Sequence, residues 1–219
     1  MRNIEGGLYL VVDPMPGLNE VLPKVKAALE GGVDVIQLWD HWSSAQDHER
    51  FVLEICRVAH DHHVPVIVHQ QWKWLKTLPL DGVHFDSIPE DLEQIKKEFD
   101  KPFLVGLTCG NDEDKIEWAI ENKIDYISFC SMFSSPTSNS CELVNPEIVR
   151  KTRAQTKIPI YVAGGITLRN ASSLLDLGIN GMAIVSGIMK AEDPKFAAYQ
   201  FKQRILRVSQ SGSPIKSKN

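Results

Sequence analysis

Residues 158–188 read IPIYVAGGITLRNASSLLDLGINGMAIVSGI and decide the fold, because they contain two consecutive rounds of strand, loop and helix. A β-rich run from Ile158 to Val162 precedes Gly164 and Gly165, and we expect a helix to begin near Leu168. A Gly-Ile-Asn-Gly turn then leads into a second β-rich run, from Met182 to Val185. Short strands that alternate with helices are typical of parallel strands joined by helical crossovers.

The same alternation extends back to the amino terminus and gives eight rounds in all. It predicts strands at Leu8 to Val12, Val35 to Leu38, Pro65 to Val68, Gly82 to Phe85, Phe103 to Leu107, Tyr126 to Phe129, Ile158 to Val162 and Met182 to Val185. Helices, several of them opened by Asn or Asp caps, are predicted at Leu18 to Glu30, Ala45 to His62, Asp112 to Asn122 and Pro146 to Gln155. Eight rounds favour a closed (β/α)₈ TIM barrel of the α/β class over an open doubly wound sheet. We expect a single domain at residues 1–208, followed by a disordered tail at 209–219 that is rich in Ser, Lys, Gly and Pro.

The composition favours one compact domain that binds a small ligand. The chain has 219 residues, of which 43% are apolar and 24% charged. A formal net charge of −4 disfavours nucleic acid and anionic membranes as partners. The four cysteines form no CxxC pair, and no apolar run approaches the roughly 20 residues that span a bilayer. We therefore expect a cytoplasmic protein with reduced thiols, and the sequence leaves a homo-oligomer open.

Two glycine-containing loops follow the last two predicted strands. Gly164 and Gly165 let the backbone approach an anion, and Ser186 with Gly187 and Ile188 adds a hydroxyl and backbone donors in the adjacent loop. Barrel enzymes frequently bind phosphate with these two loops. The pair predicts a phosphate site, although each loop alone is equally well explained as a tight turn or a helix cap.

The chain resembles the thiamine phosphate synthase family, which includes the related thiazole tautomerases. The resemblance runs from Leu8 to about Ile188 and rests on the order and spacing of several segments. These segments are Leu8 to Asp13, Val35 to Leu38, Asp81 to Phe85, Asp125 to Ile127 with Phe133, Ala163 to Ile166, and Ala183 to Ile188.

The resemblance implies a transferase that joins a pyrimidine diphosphate to a thiazole phosphate and releases pyrophosphate with the help of Mg²⁺. It implies a phosphorylated small molecule as partner, held by loops that match Gly164, Gly165, Ser186 and Ile188. Further substrate contacts are expected at the rim of the predicted barrel, which is formed by residues at the carboxyl-terminal ends of the strands. These residues are Gln37, Thr108, Ser135 and Thr137.

The half of the site that would hold the diphosphate departs from the family pattern. The family's Gln-Leu-Arg-x-Lys is replaced by residues 37–41, QLWDH, and its Asn-Asp-Arg after the third strand by residues 69–71, HQQ. Its Thr-x-Thr-Lys is replaced by residues 135–138, SPTS, and a second carboxylate falls near Pro89, where only a shift would bring in Glu90 or Asp91. Because Mg²⁺ and cations stabilise a leaving pyrophosphate, we expect weak or absent synthase activity and no metal ligand set. Mg²⁺ would be a cofactor only if synthase activity is retained.

The candidates for catalysis at the predicted rim are Gln37, His41 and His69. Metal binding by histidines and carboxylates at the ends of strands two to four is less favoured than ordinary hydrogen bonding; the set is Asp40, His41, His69, His84 and Asp86.

Other rim positions leave further functions open. The tautomerase histidine is matched by Cys130 or Ser131, and a buried, inert thiol is the favoured interpretation of Cys130. Three tryptophans either stack on a ligand ring or pack beneath loops: Trp39, Trp72 and Trp74. Ala163 stands where ribulose-phosphate epimerases carry an Asp, which disfavours that class. A non-catalytic binder of a phosphorylated ligand, or a regulator, is the alternative to an enzyme.

Overall fold

The chain folds into a closed barrel of eight parallel strands in sequential order, as the sequence predicts. The structure is a computed structural model that describes residues 4–44, 46–134 and 142–211, with only the backbone described for 207–211. The strands are β1 Gly7–Val12, β2 Val35–Leu38, β3 Val66–His69, β4 Gly82–Phe85, β5 Leu104–Thr108, β6 Tyr126–Cys130, β7 Ile160–Ala163 and β8 Gly181–Ile184. The α-helices are α1 Leu18–Glu30, α2 His48–Asp61, α3 Leu92–Lys97, α4 Glu113–Glu121, α5 Pro146–Gln155, α6 Ser186–Met189 and α7 Pro194–Ser211. Two 3₁₀ helices cover Trp72–Lys76 and Ala171–Leu177.

Several predicted boundaries need correction. The helix expected from Leu168 begins at Ala171 and is a 3₁₀ helix, because residues 168–170 form a turn. Helix α2 begins at His48 instead of Ala45, since the Asp47 side chain accepts from the backbone N–H of Arg50 and so sets the amino-terminal cap. Helix α7 continues through Ser211, three residues into the predicted tail, and residues 212–219 lie outside the described part of the chain.

Each even-numbered strand is preceded by an Asp or Asn that fastens it to the strand before it. The side chain accepts from a backbone N–H near the start of that strand, and the N–H of the same Asp or Asn donates to the carbonyl of the same partner. The pairs, with the side-chain distance first, are Asp34 with Leu8 (2.6 and 2.8 Å), Asp81 with Val66 (2.9 and 2.8 Å), Asp125 with Val105 (2.7 and 2.9 Å) and Asn180 with Ile160 (2.9 and 2.8 Å). This fourfold repeat satisfies backbone groups at the amino-terminal end of the barrel and fixes the register of neighbouring strands.

Three tyrosines fill the interior of the barrel. The rings of Tyr9, Tyr126 and Tyr161 lie 5.2–5.8 Å apart between centroids, and all three are buried. Two glycines make room for them, since a Cβ at Gly106 would lie 2.1 Å from the Tyr126 ring and one at Gly181 would lie 2.3 Å from the Tyr161 ring. The barrel is therefore a packed core, and a ligand has access only at its ends.

A search of the helices formed by the described residues finds none that is long and apolar enough to cross a membrane.

Asp125 tests whether the strand-fastening residues need charge. Burial raises the pKa of Asp125, although the N–H of Val105 and the charge of Lys96 oppose the rise. A carboxylic acid with a raised pKa in the folded state contributes stability at low pH that is lost as pH rises through that pKa. We predict that Asp125→Asn, which imitates Asn180, is at least as stable as the wild type at pH 7, whereas Asp125→Ala loses about 1–3 kcal/mol.

Urea unfolding of the three proteins between pH 3 and pH 7 measures these differences. The wild type should lose stability relative to Asp125→Asn as the pH rises over the lower part of this range. If Asp125→Asn is as unstable as Asp125→Ala at pH 7, the carboxylate charge itself is required and the interpretation is wrong.

Candidate functional site

Polar side chains collect at the carboxyl-terminal ends of β1 to β5, where barrel enzymes place their active sites. Gln37, His69 and His84 are polar side chains that are buried, whereas most of the buried residues around them are apolar. The more exposed residues around them are Asp13, Asp40, His41 and Asp86. Parallel pairing places His69 directly opposite His84 and so brings the ends of β3 and β4 together.

A chain of hydrogen bonds crosses the barrel beneath this rim. The Tyr9 hydroxyl donates to Gln37 Oε1 at 2.7 Å and lies 2.8 Å from the Tyr126 hydroxyl. His84 Nδ1 is 2.9 Å from the Tyr126 hydroxyl, and His84 Nε2 is 2.8 Å from Thr108 Oγ1. Burial, followed by the charge of His69, lowers the pKa of His84 to about 3. His84 is therefore a neutral residue with both ring nitrogens occupied.

His69 forms a pair with Asp86. Its Nε2 donates to Asp86 Oδ2 at 2.9 Å, and its Nδ1 accepts from the Asp40 backbone N–H at 3.3 Å. Burial favours the neutral form of Asp86, but the hydrogen bond from His69, the electrostatic interaction with the His69 and His84 rings and a hydrogen bond from Thr108 outweigh it and hold the pKa of Asp86 below its ordinary value. Because both nitrogens of His69 already have partners, it is not a free base.

His41 is the rim histidine with a ring nitrogen available to a ligand. Its Nδ1 lies 3.1 Å from Asp13 Oδ1, which also accepts from the Met15 N–H at 2.9 Å. The His41 side chain is 48% exposed, and its Nε2 makes no hydrogen bond with the part of the chain that the structure describes. A carboxylate on one nitrogen and an open second nitrogen is the arrangement that orients a histidine for proton transfer. Of the predicted catalytic candidates, His41 has the most suitable geometry.

The loop after β7 is built around two glycines with positive φ. Gly164 has φ 89° and Gly165 has φ 63°, a conformation that L side chains rarely adopt. A Cβ on Gly164 would lie 2.5 Å from Ser131 Oγ, and one on Gly165 would lie 2.6 Å from the carbonyl oxygen of Phe133. These glycines are required by the close approach of the loop after β6. Asn170 donates from Nδ2 to the Gly165 carbonyl at 2.9 Å and holds the loop in place.

The loop after β8 enters the short helix α6. Ser186 is exposed and begins this helix, and the first turn of a helix leaves N–H groups without intrahelical acceptors. Because β7 pairs with β8, the two loops lie side by side. The side chain of Ile188 is fully buried in the core. The backbone N–H of Ile188 donates to the Val185 carbonyl at 3.2 Å.

The remaining predicted residues have varied surroundings. Thr108 contacts His84, whereas Ser135 and Thr137 lie outside the described residues. Trp72 and Trp74 pack against the core, with Trp74 5.3 Å from the Trp42 ring, and Trp39 lies 5.2 Å from the His41 ring. Cys130 Sγ is 3.4 Å from Ser131 Oγ. Of the described cysteines, Cys56 and Cys109 are buried and Cys130 is half-buried.

Sequence reasoning missed three contributors to this site. Tyr9 and Tyr126 were assigned only to strands, although their alternation with outward residues along β1 and β6 would have placed them inside the barrel. The third contributor is Lys115, which lies on a helix face that has the pattern of an ordinary exposed surface; its amine donates to the Asp86 carbonyl at 2.7 Å. It brings a cation to the edge of the rim.

The rim does not fit the Mg²⁺ that the resemblance implies. Each exposed carboxylate already has a partner: Asp13 pairs with His41, Asp86 with His69, and Asp40 accepts from Gln71 at 3.0 Å. Among the described residues, no three or more His, Cys, Asp or Glu side chains are placed to hold a metal ion. A neutral amide at Gln70 stands where the family has a carboxylate, and Asp91 caps α3 by accepting from the Gln94 N–H.

Comparisons with known proteins agree with this architecture. The thiamine-phosphate synthase of Prochlorococcus marinus is 30% identical over 191 residues, which cover 87% of this chain and 53% of that protein, so the chain spans about half of that relative. The thiamine-phosphate synthase of Methanobrevibacter smithii is 26% identical over 198 residues, 90% of this chain and 94% of that protein. The solved thiamine phosphate pyrophosphorylase from Pyrococcus furiosus superposes with a TM-score of 0.80 at 22% identity, covering 94% of this chain and 98% of that chain.

The family described as thiamine monophosphate synthase matches residues 8–188, from β1 through the loop after β8. The matched segment includes β2 to β8, β1 apart from Gly7, and both glycine loops. This chain therefore belongs to the thiamine monophosphate synthase family.

Proposed function

We propose that this chain acts in thiamine biosynthesis, that it binds a thiazole-phosphate-type ligand, and that it catalyses the transferase reaction of its family only slowly. In that reaction the bond between the pyrimidine methylene carbon and the diphosphate oxygen breaks, and a bond from that carbon to the thiazole nitrogen forms. Pyrophosphate leaves with the electron pair of the broken bond. The observation that carries the proposal is the pairing of carboxylates with histidines at the rim where the diphosphate would lie.

The loops after β7 and β8 support the phosphate half of the proposal. The positive-φ glycines Gly164 and Gly165 expose backbone at the rim, and Ser186 and Gly187 begin the neighbouring helix. A dianionic phosphate between these loops would accept from backbone N–H groups and from the Ser186 hydroxyl. The polar side chain that contacts the Gly165 carbonyl is Asn170, which carries no negative charge to repel the phosphate.

The charges at the rim of β1 to β4 support the proposal that the transferase reaction is slow. Asp13, Asp40 and Asp86 bring negative charge to the region where a leaving pyrophosphate would develop more of it. Lys115 is the nearby cation, but its amine already donates to the Asp86 carbonyl. Like charges without a compensating metal or Arg raise the barrier to ionisation of a diphosphate.

His41 is the residue best placed to assist the leaving group. When protonated, its imidazolium would offer Nε2–H to a pyrophosphate oxygen, while Asp13 holds Nδ1. Gln37 would contact the pyrimidine through its amide. His69 is held by Asp86 and Asp40, so we assign it to the support of the rim and not to proton transfer.

A non-catalytic binder or regulator is the second candidate. The occupied nitrogens of His69 and His84 favour it, because two of the three rim histidines have no free position for acid or base chemistry. A tautomerase is less well supported, since Cys130 beside Ser131 stands in place of the acid/base histidine.

We predict that the free protein has no tight Mg²⁺ site. Mg²⁺ prefers several carboxylate or phosphate oxygens, and the rim carboxylates are paired with His41, Gln71 and His69. Calorimetric titration with MgCl₂ should show no binding in the micromolar range. A micromolar site that is lost in Asp86→Asn would contradict this prediction.

We predict that restoring the family residues increases turnover. The combined variant Trp39→Arg, His41→Lys, His69→Asn, Gln70→Asp and Ser138→Lys supplies cations and a metal ligand that act on one leaving group, so the changes are made together. Each such group is worth roughly 10²-fold or more in rate. With pyrimidine diphosphate, thiazole phosphate and Mg²⁺, the variant should form thiamine phosphate at least about 100-fold faster than the wild type.

Asp61→Asn with Glu121→Gln is the matched control, because it makes the same net change in charge on the exposed outer helices. This control should leave the wild-type rate unchanged. Wild-type turnover in the range usual for biosynthetic enzymes would overturn the proposal of slow transfer. It would mean that His41, His69, or Glu90 or Asp91 after a shift, stabilises the leaving pyrophosphate.

A further inference from the structure

The hydrogen-bond chain beneath the rim has an order that follows from counting hydrogens. Gln37 Oε1 carries no hydrogen, so the Tyr9 hydroxyl must donate its single hydrogen to it. The Tyr9 oxygen then accepts from the Tyr126 hydroxyl, 2.8 Å away. The Tyr126 hydrogen is now used, and the Tyr126 oxygen can only accept from His84 Nδ1, 2.9 Å away.

This order also fixes the hydrogen on His84. Burial keeps the ring neutral, because the pKa of His84 is lowered to about 3, and a neutral imidazole has one N–H. If Nδ1 holds that hydrogen, Nε2 is an acceptor and takes the hydroxyl hydrogen of Thr108, 2.8 Å away. Asp86, which accepts from His69 Nε2, is a second acceptor within reach of the single Thr108 hydrogen, since a hydrogen bond from Thr108 is one cause of the lowered pKa of Asp86. The Gln37 end of the chain, where Oε1 can only accept, therefore decides the order.

If every hydrogen bond in the chain ran in the opposite direction, both ends would differ. Thr108 would then donate to Asp86, and His84 would carry its hydrogen on Nε2. The Tyr126 hydroxyl would donate to His84 Nδ1, and the Tyr9 hydroxyl would donate to Tyr126. Gln37 would then have to offer an amide hydrogen to Tyr9, which places its oxygen toward the ligand. The tautomer of His84 therefore reports which amide atom Gln37 presents at the rim, three hydrogen bonds away.

We propose that Tyr9 and Tyr126 are positioning residues that keep His84 in the Nδ1–H tautomer and hold Gln37 with its amide N–H₂ toward the cleft. Gln37 Nε2 makes no hydrogen bond with any described residue, in contrast to Oε1. It offers two donors to an acceptor atom such as a ring nitrogen or a carbonyl oxygen. The contact between Gln37 and a ligand rests on the proposed function, whereas the hydrogen order concerns the free protein alone.

Nitrogen-15 NMR of the full chain, labelled at histidine, tests this order without a ligand. The two-bond proton–nitrogen couplings of a neutral imidazole distinguish the protonated from the unprotonated nitrogen, and His84→Gln identifies the His84 signals. We expect a protonated Nδ1 and an unprotonated Nε2 at pH 7. A protonated Nε2 in the wild type would overturn the proposal.

Tyr9→Phe tests the dependence on the phenol. Without the Tyr9 oxygen, the Tyr126 hydroxyl has no acceptor there and turns to His84 Nδ1, which drives the ring hydrogen to Nε2. We expect the signals of the two nitrogens to exchange character in this variant. Tyr161→Phe is the matched control, because the Tyr161 ring packs 5.2 Å from Tyr9 and its hydroxyl lies outside the chain of hydrogen bonds.

The control should keep Nδ1–H, and an exchange in both variants would show a general loosening of the core and count against the proposal. An unchanged tautomer in Tyr9→Phe would also overturn it. Should Tyr9→Phe fail to fold, the wild-type tautomer still decides the hydrogen order. None of these outcomes depends on thiamine phosphate synthesis, so a failure of the proposed function is separately visible.

Discussion

Three buried tyrosine rings impose the constraint on which the site depends. They occupy the volume left by the missing side chains of Gly106 and Gly181. Because a buried hydroxyl without a hydrogen bond costs free energy, the phenol hydroxyls favour partners inside the barrel. Tyr9 and Tyr126 satisfy that need by bonding to each other, to Gln37 and to His84. A core that is aliphatic at this level would leave Gln37 and His84 free to turn. The packing of the core thus determines the chemistry that the rim can present.

The two halves of the rim follow from different physical requirements. The β7 and β8 side depends on backbone conformation, since Gly164 and Gly165 adopt positive φ and pass close to Ser131 and Phe133. The β1 to β4 side depends on side-chain charge, and there each carboxylate is held by a hydrogen-bond partner from the chain itself. A family member can therefore alter its charged half while its glycine loops remain, because one half depends on backbone conformation and the other on side-chain charge.

The sequence predicted the barrel well because β-rich runs recur eight times and alternate with helical stretches. Helices α1 and α5 begin and end at the predicted residues, as their periodicity and the Asn145 cap indicate. The sequence predicts a helix near Ala171–Leu177 but does not distinguish a 3₁₀ helix from an α-helix, since the two share nearly the same apolar spacing over so short a run. The histidine pairs were beyond sequence reasoning, because His69 and Asp86, or Asp13 and His41, come from different strands. Their partners depend on rotamers that only the packed barrel sets.

We propose that the loops after β7 and β8 bind a thiazole-phosphate-type ligand, whereas the rim at β1 to β4 binds the pyrimidine diphosphate only weakly. Calorimetric titration of the wild-type chain with thiazole phosphate, and separately with pyrimidine diphosphate in the presence and absence of Mg²⁺, tests it most directly. We expect saturable binding of thiazole phosphate, and binding of the diphosphate that is weaker and unaffected by Mg²⁺. Tight, Mg²⁺-dependent binding of pyrimidine diphosphate together with no binding of thiazole phosphate would contradict it.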